Sequence, residues 1–157
     1  MTEKARLRAE LVEKLEAELR GAEAAQRATH AAATHEEARP ENDKDTRALE
    51  QSYLARGQAQ RVEELRTAIA ETRAMALRDF AEDAPIGLSA LVALEDERGE
   101  QRVLVTLHGG GTELAGGVKV VTTRSPLGRA LLGKQAGDDV EIEHGAKKRV
   151  ASVVSVR

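Results

Sequence analysis

The sequence predicts an α+β protein: an N-terminal antiparallel α-helical hairpin of coiled-coil type, followed by a small antiparallel β domain with one short helix. Three observations lead to this. Leucines and alanines recur at helical spacing through the first half, a proline-containing acidic break falls at that half's midpoint, and short Val/Leu/Thr runs separated by glycine turns fill the second half. The change of pattern at Glu82-Asp83-Ala84-Pro85 divides the chain into a hairpin at 1–82, with its tip about 37–45, and a β domain at 83–157.

The first stripe is Leu7, Leu11, Leu15 and Leu19 with Val12 beside them, continued by Ala22, Ala25, Ala28 and Ala32. Spacings of three and four place these side chains on one helical face. Glu10 with Lys14 and Glu16 with Arg20 are acid-first i,i+4 pairs that support the same helix. A helix from residue 3 to 36 extends roughly 50 Å at about 1.5 Å per residue. Pro40 then disfavours helical geometry at Arg39 and offers no N–H of its own. Asn42, Asp43 or Asp45 can cap a second helix. Its stripe runs through Leu49, Tyr53, Val62, Leu65, Ile69 and Met75 and ends near Phe80. Folding back near residue 41 sets Leu7 against Met75, Leu15 against the Leu65–Ile69 turn, Leu19 near Val62 and Ala25 against Gly57. Glycine inside a helix costs about 1 kcal/mol relative to alanine, so close small-on-small packing is the expected reason for Gly57.

The second half predicts strands at Ala90–Glu95, Gln101–Leu107, Val118–Thr123, Val140–Glu143 and Arg149–Val156. Between them, Ser125-Pro126-Leu127-Gly128-Arg129-Ala130-Leu131-Leu132-Gly133-Lys134 reads as a short helix. Ser125 is its N-cap, Pro126 takes the first helical position, and Gly133 closes it in the left-handed conformation. Leu127, Ala130 and Leu131 supply an apolar face for the sheet.

Composition removes several functions. The 41% hydrophobic content includes only 1% aromatic residues, too few large side chains for one big globular core. There is no cysteine, hence no disulfide, thiol nucleophile or thiolate zinc site. Residues 1–83 hold 14 basic and 18 acidic side chains, and the whole chain carries −3, so there is no general basic excess for nucleic acid. No apolar run approaches the ~18–20 residues that span a bilayer, and the charged start lacks a signal-peptide core, which predicts a cytoplasmic protein without a membrane partner.

The remaining candidates are local. Glu36, Glu37, Glu41, Asp43 and Asp45 crowd the hairpin tip against Arg39 and Lys44. His30 and His35 are five apart, whereas helical zinc motifs place two histidines four apart, so they read as surface residues. His108-Gly109-Gly110-Gly111 is followed by neither Gly-Lys-Ser/Thr nor a helix and reads as a turn. Lys147-Lys148-Arg149 reads as a charged strand edge that discourages pairing. Arg20, Arg27, Arg47, Arg56 and Arg61 are interleaved with acids along the hairpin. No nucleophile–base set is present.

The stretch Ser125–Lys134, continued through Gln135-Ala136-Gly137-Asp138-Asp139-Val140-Glu141-Ile142, resembles the signature of the C-terminal domain of the GreA/GreB family of bacterial transcription elongation factors. Arg61-Val62-Glu63-Glu64-Leu65-Arg66-Thr67-Ala68-Ile69 similarly resembles the second arm of that family's coiled coil. The motif and the hairpin occur in the family's order and at its approximate spacing, so the resemblance covers nearly the whole chain.

The resemblance implies an FKBP-like β domain that docks on the rim of the secondary channel of bacterial RNA polymerase, with Ser125, Pro126, Leu127, Gly128 and Arg129 in the docking segment. It implies that the hairpin enters the channel, where tip carboxylates stimulate hydrolysis of the nascent RNA 3′ end in backtracked complexes. The acting groups would be Glu41, Asp43 and Asp45. A Mg²⁺ would be held jointly with the polymerase by Glu41 and Asp43, and none by the isolated chain. This suits the preference of Mg²⁺ for hard oxygen ligands and its role in two-metal phosphoryl transfer. Arg20, Arg27 and Arg47 fall in the family's basic, RNA-contacting patch, and the protein would act as a monomeric accessory factor rather than an enzyme.

Aligned without gaps on Arg61–Leu65, the family's Asp-x-x-Glu tip pair falls on Glu41 and Lys44. Two roles therefore stay open, cleavage stimulation and occupation of the channel without cleavage. A stand-alone FKBP-like isomerase is the third reading, but residues 84–157 lack the aromatics its groove needs.

Overall fold

The computed structural model describes residues 1–37 and 44–157, with the side chains at 33–37, 44, 45 and 144 outside the description. Two long helices, α1 (Glu3–Glu37) and α2 (Lys44–Ala74), precede a six-stranded sheet and a short helix, α3 (Pro126–Leu131). The chain divides into two compact units: Glu13–Ala70, and Met1–Val12 together with Glu71–Arg157. This partition differs from the 82/83 boundary read from the sequence, because the ends of both helices belong with the sheet.

Within Glu13–Ala70 the two helices run antiparallel. Arg61 bonds Glu18 at 2.8 Å, and Gln58 Nε2 donates to the Ala25 carbonyl at 3.4 Å, so partners fall on α2 as they rise on α1. Leu15, Val62, Leu65, Ala68 and Ile69 are buried. Beyond them the expected stripe stops. Among the described side chains, none from 16 to 32 and none from 46 to 61 is buried. Leu49 and Tyr53 are 55% and 62% exposed. The cause is helical phase: Tyr53 and Val62 are nine residues apart, about 900° of rotation, and so lie on opposite faces. Gly57 meets nothing within 4 Å of the position a Cβ would take, so close packing against Ala25 is not its reason.

Helix α2 also ends earlier than the expected Phe80. From Met75 onward the backbone finds partners elsewhere: Arg8 Nη1 donates to the Met75 carbonyl at 2.7 Å, Lys4 Nζ to the Arg78 carbonyl, and Arg78 N to Ser89 Oγ at 3.0 Å. These bonds satisfy groups that a continued helix would otherwise bond internally.

The strands are β1 (Leu91–Asp96), β2 (Gly99–Thr106), β3 (Glu113–Leu114), β4 (Val118–Thr122), β5 (Asp139–His144) and β6 (Lys147–Val156), in the order β3-β4-β2-β1-β6-β5. The sheet is mostly antiparallel, with β2 and β4 as its parallel pair. A parallel neighbour needs a crossover, which residues 107–117 supply. The two-residue β3 lies inside that crossover and is too short to show as a sequence run.

Strand alternation gives the sheet two apolar faces. Val92, Leu94, Val103, Val105, Val121, Val140, Ile142, Ala151 and Val153 form the larger core, closed by Leu131 with Leu127 and Ala130 of α3. Leu91, Ala93, Leu104, Val118 and Val120 point the other way and are also buried. The first residues of α1 bind on that side: Glu3 pairs with Arg102 at 2.6 Å, Glu10 accepts from Ala115 N at 2.9 Å, and Leu11 lies against Gly109. Gly109 has φ 82°, and a Cβ there would stand 2.7 Å from Leu11 Cδ1.

Candidate functional site

Two regions were expected to carry function, the hairpin tip and the segment opening α3. Glu41 and Asp43 lie outside the described residues. Asp45 stands in the first turn of α2, its side chain likewise outside the description. Among the described residues no three histidine or acidic side chains converge as a metal site.

Arg20, Arg27 and Arg47 are exposed. Arg27 lines a cleft of about 450 Å³ between α1 and α2, with Gln26, Thr29, His30, Ala31, Gln51, Ala55 and Gln58, while Arg20 and Arg47 lie outside that lining. Polar residues at these inward positions replace the leucines of the hairpin's other half, and Gln58 Oε1 is buried there without a protein hydrogen-bond partner among the described residues. Of the other arginines, Arg61 bonds Glu18, and Arg66 bonds Glu63 at 2.6 Å and Glu23 at 3.5 Å. Arg56 instead sits over the Tyr53 ring, 6.0 Å from its centre.

The α3 segment is held by its own sequence. Ser125 adopts extended geometry (φ −68°, ψ 158°), and its Oγ accepts from Gly128 N at 3.0 Å while donating to the Thr122 carbonyl at 2.9 Å. Pro126 starts the helix, where a missing N–H is harmless. At Gly128 a Cβ would lie 1.8 Å from the Thr122 carbonyl oxygen, so no larger residue fits without backbone movement. Leu127 packs on the core, and Gly133 has φ 82° with its N–H donating to the Ile86 carbonyl at 2.9 Å. Pro126, Arg129 and Leu132 are left facing outward. Within the expected docking segment, then, Ser125, Leu127 and Gly128 shape the turn, and Pro126 and Arg129 supply its surface.

Sequence reasoning missed Lys4. Its ammonium donates to the carbonyls of Arg78 and Arg157 and lies 4.9 Å from the centre of the Phe80 ring. Burial pushes its pKa below the ordinary 10.5, with Asp79 opposing the shift and Arg78 adding to it. Ser89 was missed as well: it is fully buried at φ 71° and accepts from Arg78 N. Neither had a local signal, since both roles depend on contacts distant in sequence.

Paired long helices, a mostly antiparallel six-stranded sheet and a Ser-Pro-Leu-Gly turn opening a short helix define an α+β protein with a GreA/GreB-like fold. Residues 82–157 match the family model described as "Transcription elongation factor, GreA/GreB, C-term", so this domain is similar to the C-terminal domain of the GreA/GreB family. Among solved structures, Gfh1 from Thermus aquaticus is 19% identical over 92% of each chain, with a TM-score of 0.43. GreA factor homolog 1 (Gfh1) of Thermus thermophilus is 20% identical over 93% of this chain and 94% of that one, with a TM-score of 0.41. The GreA/GreB elongation factor from Nitrosomonas europaea is 22% identical over 59% of this chain and 78% of its own, with a TM-score of 0.37. No curated protein matches the chain. No helix among the described residues is long and apolar enough to cross a membrane.

Proposed function

We propose that this protein is a cytoplasmic accessory factor that binds bacterial RNA polymerase at its secondary channel and stimulates hydrolysis of the RNA 3′ end in backtracked complexes. The observation that carries the proposal is the family match over residues 82–157, joined to a preceding helical pair. The β domain docks through the outward-facing Pro126 and Arg129. The tip acids Glu41, Asp43 and Asp45 act at the polymerase active centre, where Glu41 and Asp43 would share a Mg²⁺ that polarises phosphate and water. Arg20, Arg27 and Arg47 contact RNA phosphates, a role that requires only accessible positive charge.

A second reading, occupation of the channel without cleavage, is favoured by one residue: Lys44 stands where the family pattern has its second acid. A lysine cannot ligate Mg²⁺ as a carboxylate does. Purified polymerase stalled in a backtracked state separates the two. Under the first, adding the protein releases short 3′ RNA fragments, and Glu41→Ala, Asp43→Ala or Asp45→Ala lowers the release by about tenfold or more. Tight binding with no release would establish the second.

A further inference from the structure

Residues 1–83 contain two glycines, Gly21 in α1 and Gly57 in α2. Neither has a positive φ, and neither has a described neighbour within 4 Å of where a Cβ would stand. Unusual backbone geometry and close packing, the ordinary reasons for a glycine in a helix, therefore account for neither. Alanine would hold both helices more firmly.

The two glycines lie at one level of the hairpin. The Arg61–Glu18 and Gln58–Ala25 bonds run from arm to arm. Gly21 falls between Glu18 and Ala25, and Gly57 adjoins Gln58, which sets the two within about one turn of each other along the hairpin. That level is also a boundary in packing. Towards the base, Leu15, Val62 and Leu65 are buried. Beyond it no described side chain of 22–32 or 46–56 is buried. There the cleft bordered by Gln26, Thr29, His30, Gln51 and Gln58 takes the place of an apolar layer. Gln58 Oε1 is buried in it without a protein partner among the described residues, so bending would carry that oxygen to water without breaking a bond. The Arg61–Glu18 pair beside the glycines is exposed and restrains little.

We infer that Gly21 and Gly57 form a paired hinge, about which the distal arms at 22–37 and 44–56 swing against the hairpin base at 13–20 and 58–70. A helical pair bends only where both helices yield at the same level. Here the weakest helix former of each arm coincides with the end of the apolar core. The hinge is a property of the free chain and does not depend on the polymerase reading. It allows the far end of the hairpin to be re-aimed while the base stays packed.

The test uses the full-length chain, which has no cysteine of its own, carrying Glu13→Cys and Ala32→Cys for a pair of spin labels. These positions stand about 28 Å apart along a straight helix. The labelled chain should give a broad distance distribution by pulsed electron resonance, and adding Gly21→Ala or Gly57→Ala should narrow it. Gly57→Ala should also slow amide exchange at residues 54–60 by about fivefold. Ser52→Ala, which raises helix propensity at an exposed site away from the hinge, should leave the distribution as it was. A narrow distribution without the alanine substitutions would overturn the hinge. So would a broad one that neither glycine substitution narrows, an exchange rate that Gly57→Ala does not slow, or equal narrowing by Ser52→Ala.

Discussion

At Gly128 the requirement for glycine comes from a backbone atom, not from conformational freedom. The Thr122 carbonyl occupies the space of a side chain there, 1.8 Å from where a Cβ would stand. Gly128→Ala should therefore cost about 3 kcal/mol or more, or prevent the sheet domain from folding, as read by thermal unfolding. Gly57→Ala meets no neighbour and should instead stabilise α2 by up to about 1 kcal/mol. Lys4 allows a prediction in pH. Its folded pKa is below the unfolded 10.5, so between those two values the unfolded chain holds a proton that the folded chain has released. Stability from this group therefore rises with pH through that window and levels off above 10.5. In denaturant titrations across a pH series, the difference between wild type and Lys4→Met should grow toward pH 10.5; a difference that shrinks would contradict the burial of Lys4. The role of Gly128 was half legible in the sequence, where it stood inside a recognisable helix start. Lys4 was not, because a lysine in an amphipathic helix looks solvated until its distant carbonyl partners are known.

At the scale of elements, strands were the easiest to read. Short β-branched runs between glycine turns have few alternatives, and all five runs of the sequence reading became strands. The parallel pairing of β2 with β4 was not legible, since pairing direction is set by the path of the crossover. Helix α2 was misread in two ways with one lesson. Its true end is fixed by Arg8, Lys4 and Ser89 taking over its backbone partners, and its apolar residues belong to two faces that a single list had merged. Substitution should separate the faces. Leu65→Ala, in the buried row, should cost about 2–5 kcal/mol. Leu49→Ala, on the solvated row, should change stability by no more than about 0.5 kcal/mol. Equal effects in chemical denaturation would refute the two-faced assignment. The exposed Arg61–Glu18 pair fastens little by itself, and Arg61→Ala should cost under about 1 kcal/mol.

At the scale of the molecule, burial is uneven along the hairpin helices. Apolar side chains are buried from Val62 to Met75, whereas Lys44–Arg61 shows none buried among its described residues. Local opening follows the density of buried apolar contacts. Amide hydrogens of residues 46–58 should therefore exchange about tenfold or more faster than those of 62–72. Uniform protection along α2 would show that its helix is stabilised by something other than packing. The sheet unit, by contrast, includes Met1–Val12. A fragment beginning at residue 83 would uncover Leu91, Leu104, Val118 and Val120 and should be less stable than the whole chain. The candidate site was legible only as chemistry: the acids of the tip and the Ser-Pro-Leu-Gly turn could be picked out, but one sequence does not fix which carboxylates converge.

Tyr53 is the chain's only tyrosine, and there is no tryptophan. The intrinsic ultraviolet fluorescence of the unlabelled protein therefore comes from one ring on the outward face of α2. That emission is silent about melting of the sheet, which must be followed by another signal. It is well placed to report whatever settles on the hairpin's flank, without any dye attached.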